Sequence, residues 1–132
     1  RDDPHVGPTL GFRITAGGRS IAYVSDHQQP GCQSTSVADS VLELCDGVDL
    51  LIHDAQYTDP EFAQKFDWGH CTTDYAVEVA AQCGAKRLAL YHHDPSHDDD
   101  TVAALAEGAA AASRLRQGAE VFAASEGLVV NL

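Results

Sequence analysis

Between His92 and Asp100 the chain carries three histidines and four aspartates in nine residues. Imidazole nitrogens and carboxylate oxygens are the donors that suit zinc, manganese and iron. An apolar run at residues 88–91 leads into them, and Pro95 forbids further ladder pairing. Ligand-capable side chains at the carboxyl end of a buried strand are where α/β proteins usually place their chemistry. Two other apolar runs end in the same way, one in Ser25-Asp26-His27 and one in His53-Asp54. If the three strands lie parallel, all three polar ends meet at one edge of a sheet. A dinuclear hydrolytic site needs a carboxylate able to bridge two cations, imidazoles around it and an opening for water. Asp26 offers the bridge and His92 a terminal ligand. His70 follows Gly69 just before a helix, in a position to act as general acid, and Asp54 could orient it.

Taken singly, each of these residues also has a purely structural reading, because hydrogen-bonded and capping His and Asp are common. Asp98, Asp99 and Asp100 read as the acidic start of a helix. Alternation along a strand puts His53 and Asp54 on opposite faces, and Asp54 is the member assigned to the site. His27 and His93 each follow a better candidate and read as supporting or surface residues. His97 reads as a loop residue near a helix start.

The elements that must position these groups are short. Residues 9–15 and 20–25 read as two strands of a hairpin around Ala16-Gly17-Gly18. Ser36 offers a cap for a helix ending near Gly47. Residues 49–52 form a buried strand, and Asp59-Pro60-Glu61 opens a short helix running to about Phe66. Thr72 or Thr73 caps an amphipathic helix that Gly84 stops. After the strand at 88–91, Asp98 or Asp99 caps an Ala-rich helix to about Arg116, and residues 120–124 and 128–132 read as closing strands. Strands alternating with helices predict a layered α/β architecture in a single domain spanning residues 1–132.

The chain has 132 residues, 44% of them apolar, and a formal net charge of −12. So acidic a surface repels phosphate backbones, which argues against nucleic-acid binding by this segment. No apolar run approaches membrane-spanning length and no signal peptide is visible. Cys32, Cys45, Cys71 and Cys83 share no Cys-x-x-Cys spacing, which points to a reducing cytoplasm. The chain opens on Arg1 rather than Met, as expected of a processed or partial product.

These motifs together resemble the metallo-β-lactamase superfamily, and most closely its ribonuclease Z and PhnP-like phosphodiesterase branch. Tyr23-Val24-Ser25-Asp26 resembles the strand that ends in the bridging Asp. Leu51-Ile52-His53-Asp54-Ala55 resembles the His-Glu-Ala-Thr motif, with Asp54 in place of Glu. Gly69-His70-Cys71-Thr72 resembles Gly-His-Ser-Thr, with Cys71 in place of Ser, and residues 88–92 resemble the strand whose terminal His binds the second metal. His5, ahead of Gly11-Phe12-Arg13-Ile14, resembles the His that binds the first metal. The superfamily's His-x-His-x-Asp-His signature is absent from these residues.

The resemblance therefore implies the carboxy-terminal half of an αββα sandwich. It implies two divalent cations, zinc foremost with manganese or iron as alternatives, on His5, Asp26 and His92, and catalysis by His70 with Asp54. The expected activity is a phosphodiesterase. With the acidic charge, the expected substrate is a small phosphodiester. A thioester or lactone hydrolase and an inactive, metal-free half-fold that pairs as a homodimer are the rival readings.

Overall fold

A computed structural model describes residues 9–132, so His5 lies outside the described residues. The element order is β1 (Phe12–Ala16), β2 (Arg19–Val24), α1 (Asp39–Cys45), β3 (Leu50–Asp54), α2 (Asp59–Gln64), α3 (Thr73–Cys83), β4 (Arg87–Tyr91), α4 (Asp99–Leu115) and β5 (Glu120–Ala123). The five strands form one sheet in the order β1-β2-β3-β4-β5. β1 and β2 form an antiparallel hairpin, whereas β2 to β5 run parallel. Gly17 and Gly18 take φ of 59° and 78°, the left-handed pair that a tight hairpin turn requires.

Alternation divides the sheet into two faces. Ala22, Val24, Leu51, Leu88 and Leu90 point into a core closed by Val41, Cys45, Val77, Val79, Ala80 and Ala109 from the helices. On the opposite face the register aligns Phe12, Tyr23, Ile52, Ala89 and Phe122 in one row across all five strands. Phe12 and Ile14 are 55% and 62% exposed there. An apolar sheet face left this open is one that folded proteins normally cover.

The helix boundaries follow local chemistry. Thr72 accepts from the Tyr75 amide at the start of α3, and Gly84 closes that helix at φ 65°. Asp98 accepts from the Thr101 amide at the start of α4. Thr58 and Glu61 form a capping box on α2. Among the described residues no helix is long and apolar enough to cross a membrane.

Three expectations need correction. β1 starts at Phe12 rather than residue 9, because its partner β2 ends at Val24 and offers no ladder beyond Tyr23. α1 starts at Asp39 without a side-chain cap. Ser36 instead lends its carbonyl to Tyr75, and Thr35 lends its own to Gln82, which pins the segment against α3. Residues 128–132 form no strand. Gly127 turns the chain at φ 78°, and Arg87 bonds the Asn131 carbonyl.

At the amino ends of the parallel strands, Asp49 accepts from Lys86 at 2.8 Å, from the Ser20 amide at 2.8 Å and from Arg19 at 3.2 Å. The Lys86 ammonium, followed by the Ser20 amide and then Arg19, holds its carboxyl well below the usual carboxylate range. A depressed carboxyl stabilises the fold above its unfolded value, near 4, and that gain is lost as pH falls. Asp49→Asn should therefore melt a few degrees lower at pH 7, with a gap that narrows below pH ~4. Melting curves separated by the same gap at every pH would contradict this tie.

Candidate metal centre

Because β2, β3 and β4 run parallel, their carboxyl ends deliver Asp26, Asp54 and His92 to one edge of the sheet. Both Asp26 and His92 leave their strands with left-handed backbone, at φ 51° and 60°. Such conformations cost non-glycine residues about 1 kcal/mol or more. Two of them at facing strand ends mark where the fold spends stability on aiming side chains.

Asp54 is fully buried, and its carboxylate organises the site. Oδ2 accepts from His70 Nδ1 at 2.8 Å and lies 3.2 Å from His92 Nδ1. Oδ1 accepts from the amides of Gln56 at 3.2 Å and Cys71 at 3.3 Å. Burial pushes its carboxyl up, but the bonds from His70 and His92 together outweigh that and hold it below the usual range. His92 shifts the other way. Its bond to Asp54 raises it against the effect of burial, and the charges of Asp54 and Asp26 add to the rise.

Around this carboxylate, Asp26, His70 and His92 bring ligand atoms within 4.8 Å of one another. One carboxylate and two imidazoles at that spacing fit a divalent cation of the zinc class. Nδ1 of His70 is engaged by Asp54, which fixes the ring at the edge of the cluster. Asp54 makes this bond although it is one methylene shorter than Glu.

The remaining histidines fall away from the cluster. His53 points to the helix side, as alternation requires, and bonds the Asp54 carbonyl through Nδ1 at 2.7 Å. Its Nε2 therefore accepts from His27 Nδ1 at 2.8 Å. Burial holds His27 down to about 4. Burial, then the His27 charge, holds His53 down to about 3. This neutral pair forms a layer under the site. Among the described residues His93 is not part of the metal-capable cluster, and His97 pairs with Glu61 at 2.8 Å. Asp98 serves as the cap described above.

Sequence reasoning missed the two glutamines after His27. Gln28 donates to the Phe66 carbonyl at 2.7 Å and accepts from the Gly69 amide at 2.8 Å. Gln29 accepts from the Thr72 amide and hydroxyl at 3.1 and 3.0 Å, and its own amide bonds the His70 carbonyl. The segment that carries Asp26 thus also fixes the loop that carries His70. Nothing in a Gln-Gln pair signals this, because polar residues after a strand read as ordinary loop.

A family model described as a beta-lactamase superfamily domain matches residues 1–93. A Ribonuclease Z of Sulfolobus acidocaldarius is 44% identical over 75 residues, covering 57% of this chain and 22% of the relative. A Ribonuclease Z of Halobacterium salinarum is 33% identical over 116 residues, covering 84% of this chain and 32% of the relative. The short form of human tRNase Z superposes with a TM-score of 0.55 at 34% identity, over 69% of this chain and 33% of that one. The metallo-beta-lactamase fold protein YhfI from Bacillus subtilis superposes at 0.59 with 23% identity, over 83% and 40% of the two chains, a likeness of fold alone. The chain spans less than a third of the length of these curated relatives.

The expectation against nucleic acid needs correcting, and with it the preference for a small diester. The relatives are named ribonucleases, and one superposed structure is a tRNase. The physical reason is that net charge sums over a whole surface, whereas recognition is decided locally. A site that holds cations, and contacts that do not depend on charge, can receive a polyanion on an acidic protein.

Proposed function

Since the chain belongs to the β-lactamase superfamily, with its likeness on the ribonuclease Z side, we propose that it is the carboxy-terminal half of a metal-dependent hydrolase that cleaves phosphodiester bonds in RNA. The observation that carries this reading is the convergence of Asp26, His70 and His92 around buried Asp54. The open apolar row from Phe12 to Phe122 supports the half-domain reading, because a second layer of the sandwich would cover it. The free thiols agree with a cytoplasmic location.

In this reading Asp26 and His92, together with His5, would hold the divalent cations. When bound, such cations lower the pKa of a water and polarise a phosphoryl oxygen. The chain's own groups do the rest. Asp54 fixes the His70 ring through Nδ1, so that Nε2 faces the reacting phosphodiester. His70 delivers a proton from Nε2 to the leaving oxygen, and Asp54 stabilises the imidazolium that precedes this transfer. The left-handed backbone at Asp26 and His92 keeps both side chains aimed at the site before substrate arrives.

A substrate panel on the full-length protein tests the reading. RNA should be cleaved, while lactone and thioester substrates should remain intact. Preferential hydrolysis of a lactone or thioester would reassign the chemistry. A paired substitution tests the ligand. His92→Ala should lose metal, whereas His93→Ala should keep it, because the left-handed backbone at His92 turns its ring toward Asp54 and Asp26, while His93 lies outside the metal-capable cluster of the described residues. Metal analysis giving the reverse order would move the ligand to His93.

A further inference from the structure

The loop between α2 and His70 carries two large aromatic residues in the open. Phe66 is 61% and Trp68 is 59% exposed. This loop is held in place. Gln28 grips the Phe66 carbonyl and the Gly69 amide from within the core, and the Trp68 amide bonds the Lys65 carbonyl at 3.0 Å. The protein therefore fixes an exposed indole in position rather than burying it. Trp68 also lies beside the site. Two peptide steps place its Cα within about 7 Å of that of His70. Ring contacts connect the two regions as well. His92 packs on His70 at 4.8 Å between centroids, and His70 on Tyr57 at 5.8 Å. The Lys65 ammonium then sits 4.7 Å from the Tyr57 ring and 5.6 Å from the Trp68 ring.

Lys65 occupies one face of the indole, and its charge is matched by Asp94 at 2.9 Å. The residue as a whole is still 59% exposed, so much of the indole is open to a partner. A flat π surface beside a phosphodiester-cleaving centre suits one occupant above others, the face of an unpaired nucleobase. Every base has such a face, so stacking needs no particular sequence and no positive charge. Stacking of this kind adds to whatever the cations of the site contribute and does not depend on the charge of the surface around it.

We propose that Trp68, on the loop it shares with Phe66, forms a stacking subsite for an unpaired nucleobase next to the scissile phosphodiester. The subsite deepens the phosphodiesterase reading above and rests on it. Binding is measured by fluorescence anisotropy in chelator, so that nothing is cleaved, with the full-length protein. Two labelled oligoribonucleotides of equal length and charge are compared, one with a single-stranded tail of ordinary nucleotides and one with an abasic tail. Wild type should prefer the base-bearing tail. Trp68→Leu should weaken that binding by about tenfold, Trp68→Phe by less, and neither should change affinity for the abasic tail. Equal affinity of wild type for the two tails, or equal losses for both in Trp68→Leu, would overturn the proposal. Hydrolysis of bis(p-nitrophenyl) phosphate, which has no base, reports the phosphodiesterase reading separately. Trp68→Leu should leave that rate unchanged, and a fall matching its loss of RNA binding would make Trp68 a structural residue and overturn the subsite.

Discussion

Asp26→Ala in the full-length protein is expected to abolish RNA cleavage, with kcat/KM falling by about a thousandfold or more, and to release bound metal. A bridging carboxylate contributes to both cation sites at once, and its removal leaves two like charges facing each other without the anion between them. The fold should survive, because Asp26 is partly exposed and, among the described residues, accepts its direct hydrogen bond from Ser25 Oγ at 2.5 Å. Asp26→Asn sharpens the test. Asn tolerates the left-handed backbone found at this position, so it removes the charge while leaving the strand end undisturbed. Both variants should therefore show native circular dichroism and little metal. Wild-type metal content with wild-type activity in either would remove Asp26 from the site.

His70→Ala is expected to behave differently. As general acid its loss should lower kcat by about a hundred- to ten-thousandfold while the metal content stays near that of wild type. Asp54→Asn should act in the same direction through the ring it holds, because an amide cannot hold the His70 Nδ1–H and stabilise its imidazolium as the carboxylate does. The geometry makes this a demanding test, since the His70 ligand atom lies within 4.8 Å of those of Asp26 and His92. If His70→Ala sheds metal in proportion to activity, His70 is a ligand and the proton must come from another group.

The convergence of three strand ends was legible in the sequence, because each apolar run stopped in the same kind of residue and the parallel sheet placed those stops at one edge. The opposite placement of His53 and Asp54 was legible too, since period-two alternation sends the two side chains to different faces. Local rules also placed Gly84 at a helix end and narrowed two caps to neighbouring pairs, of which Thr72 and Asp98 are the ones used. What failed depended on contacts between distant segments. Ser36 could not be read as a carbonyl acceptor for α3 rather than a cap without knowing where Tyr75 packs. Likewise, the tail at 128–132 has strand composition, but Gly127 and Arg87 direct it elsewhere. The grip of Gln28 and Gln29 on the His70 loop spans about forty residues and leaves no periodic trace. Net charge misled most, because it averages over the surface that a substrate never touches.

The most direct test of the account is RNA cleavage by the full-length protein, followed through chelation and metal restoration with the bound metal counted at each stage. The account predicts cleavage of RNA that disappears on chelation and returns when about two zinc or manganese ions per chain are restored. Cleavage that persists in the metal-free protein, or a fully metal-loaded protein that leaves every RNA phosphodiester intact, would contradict it.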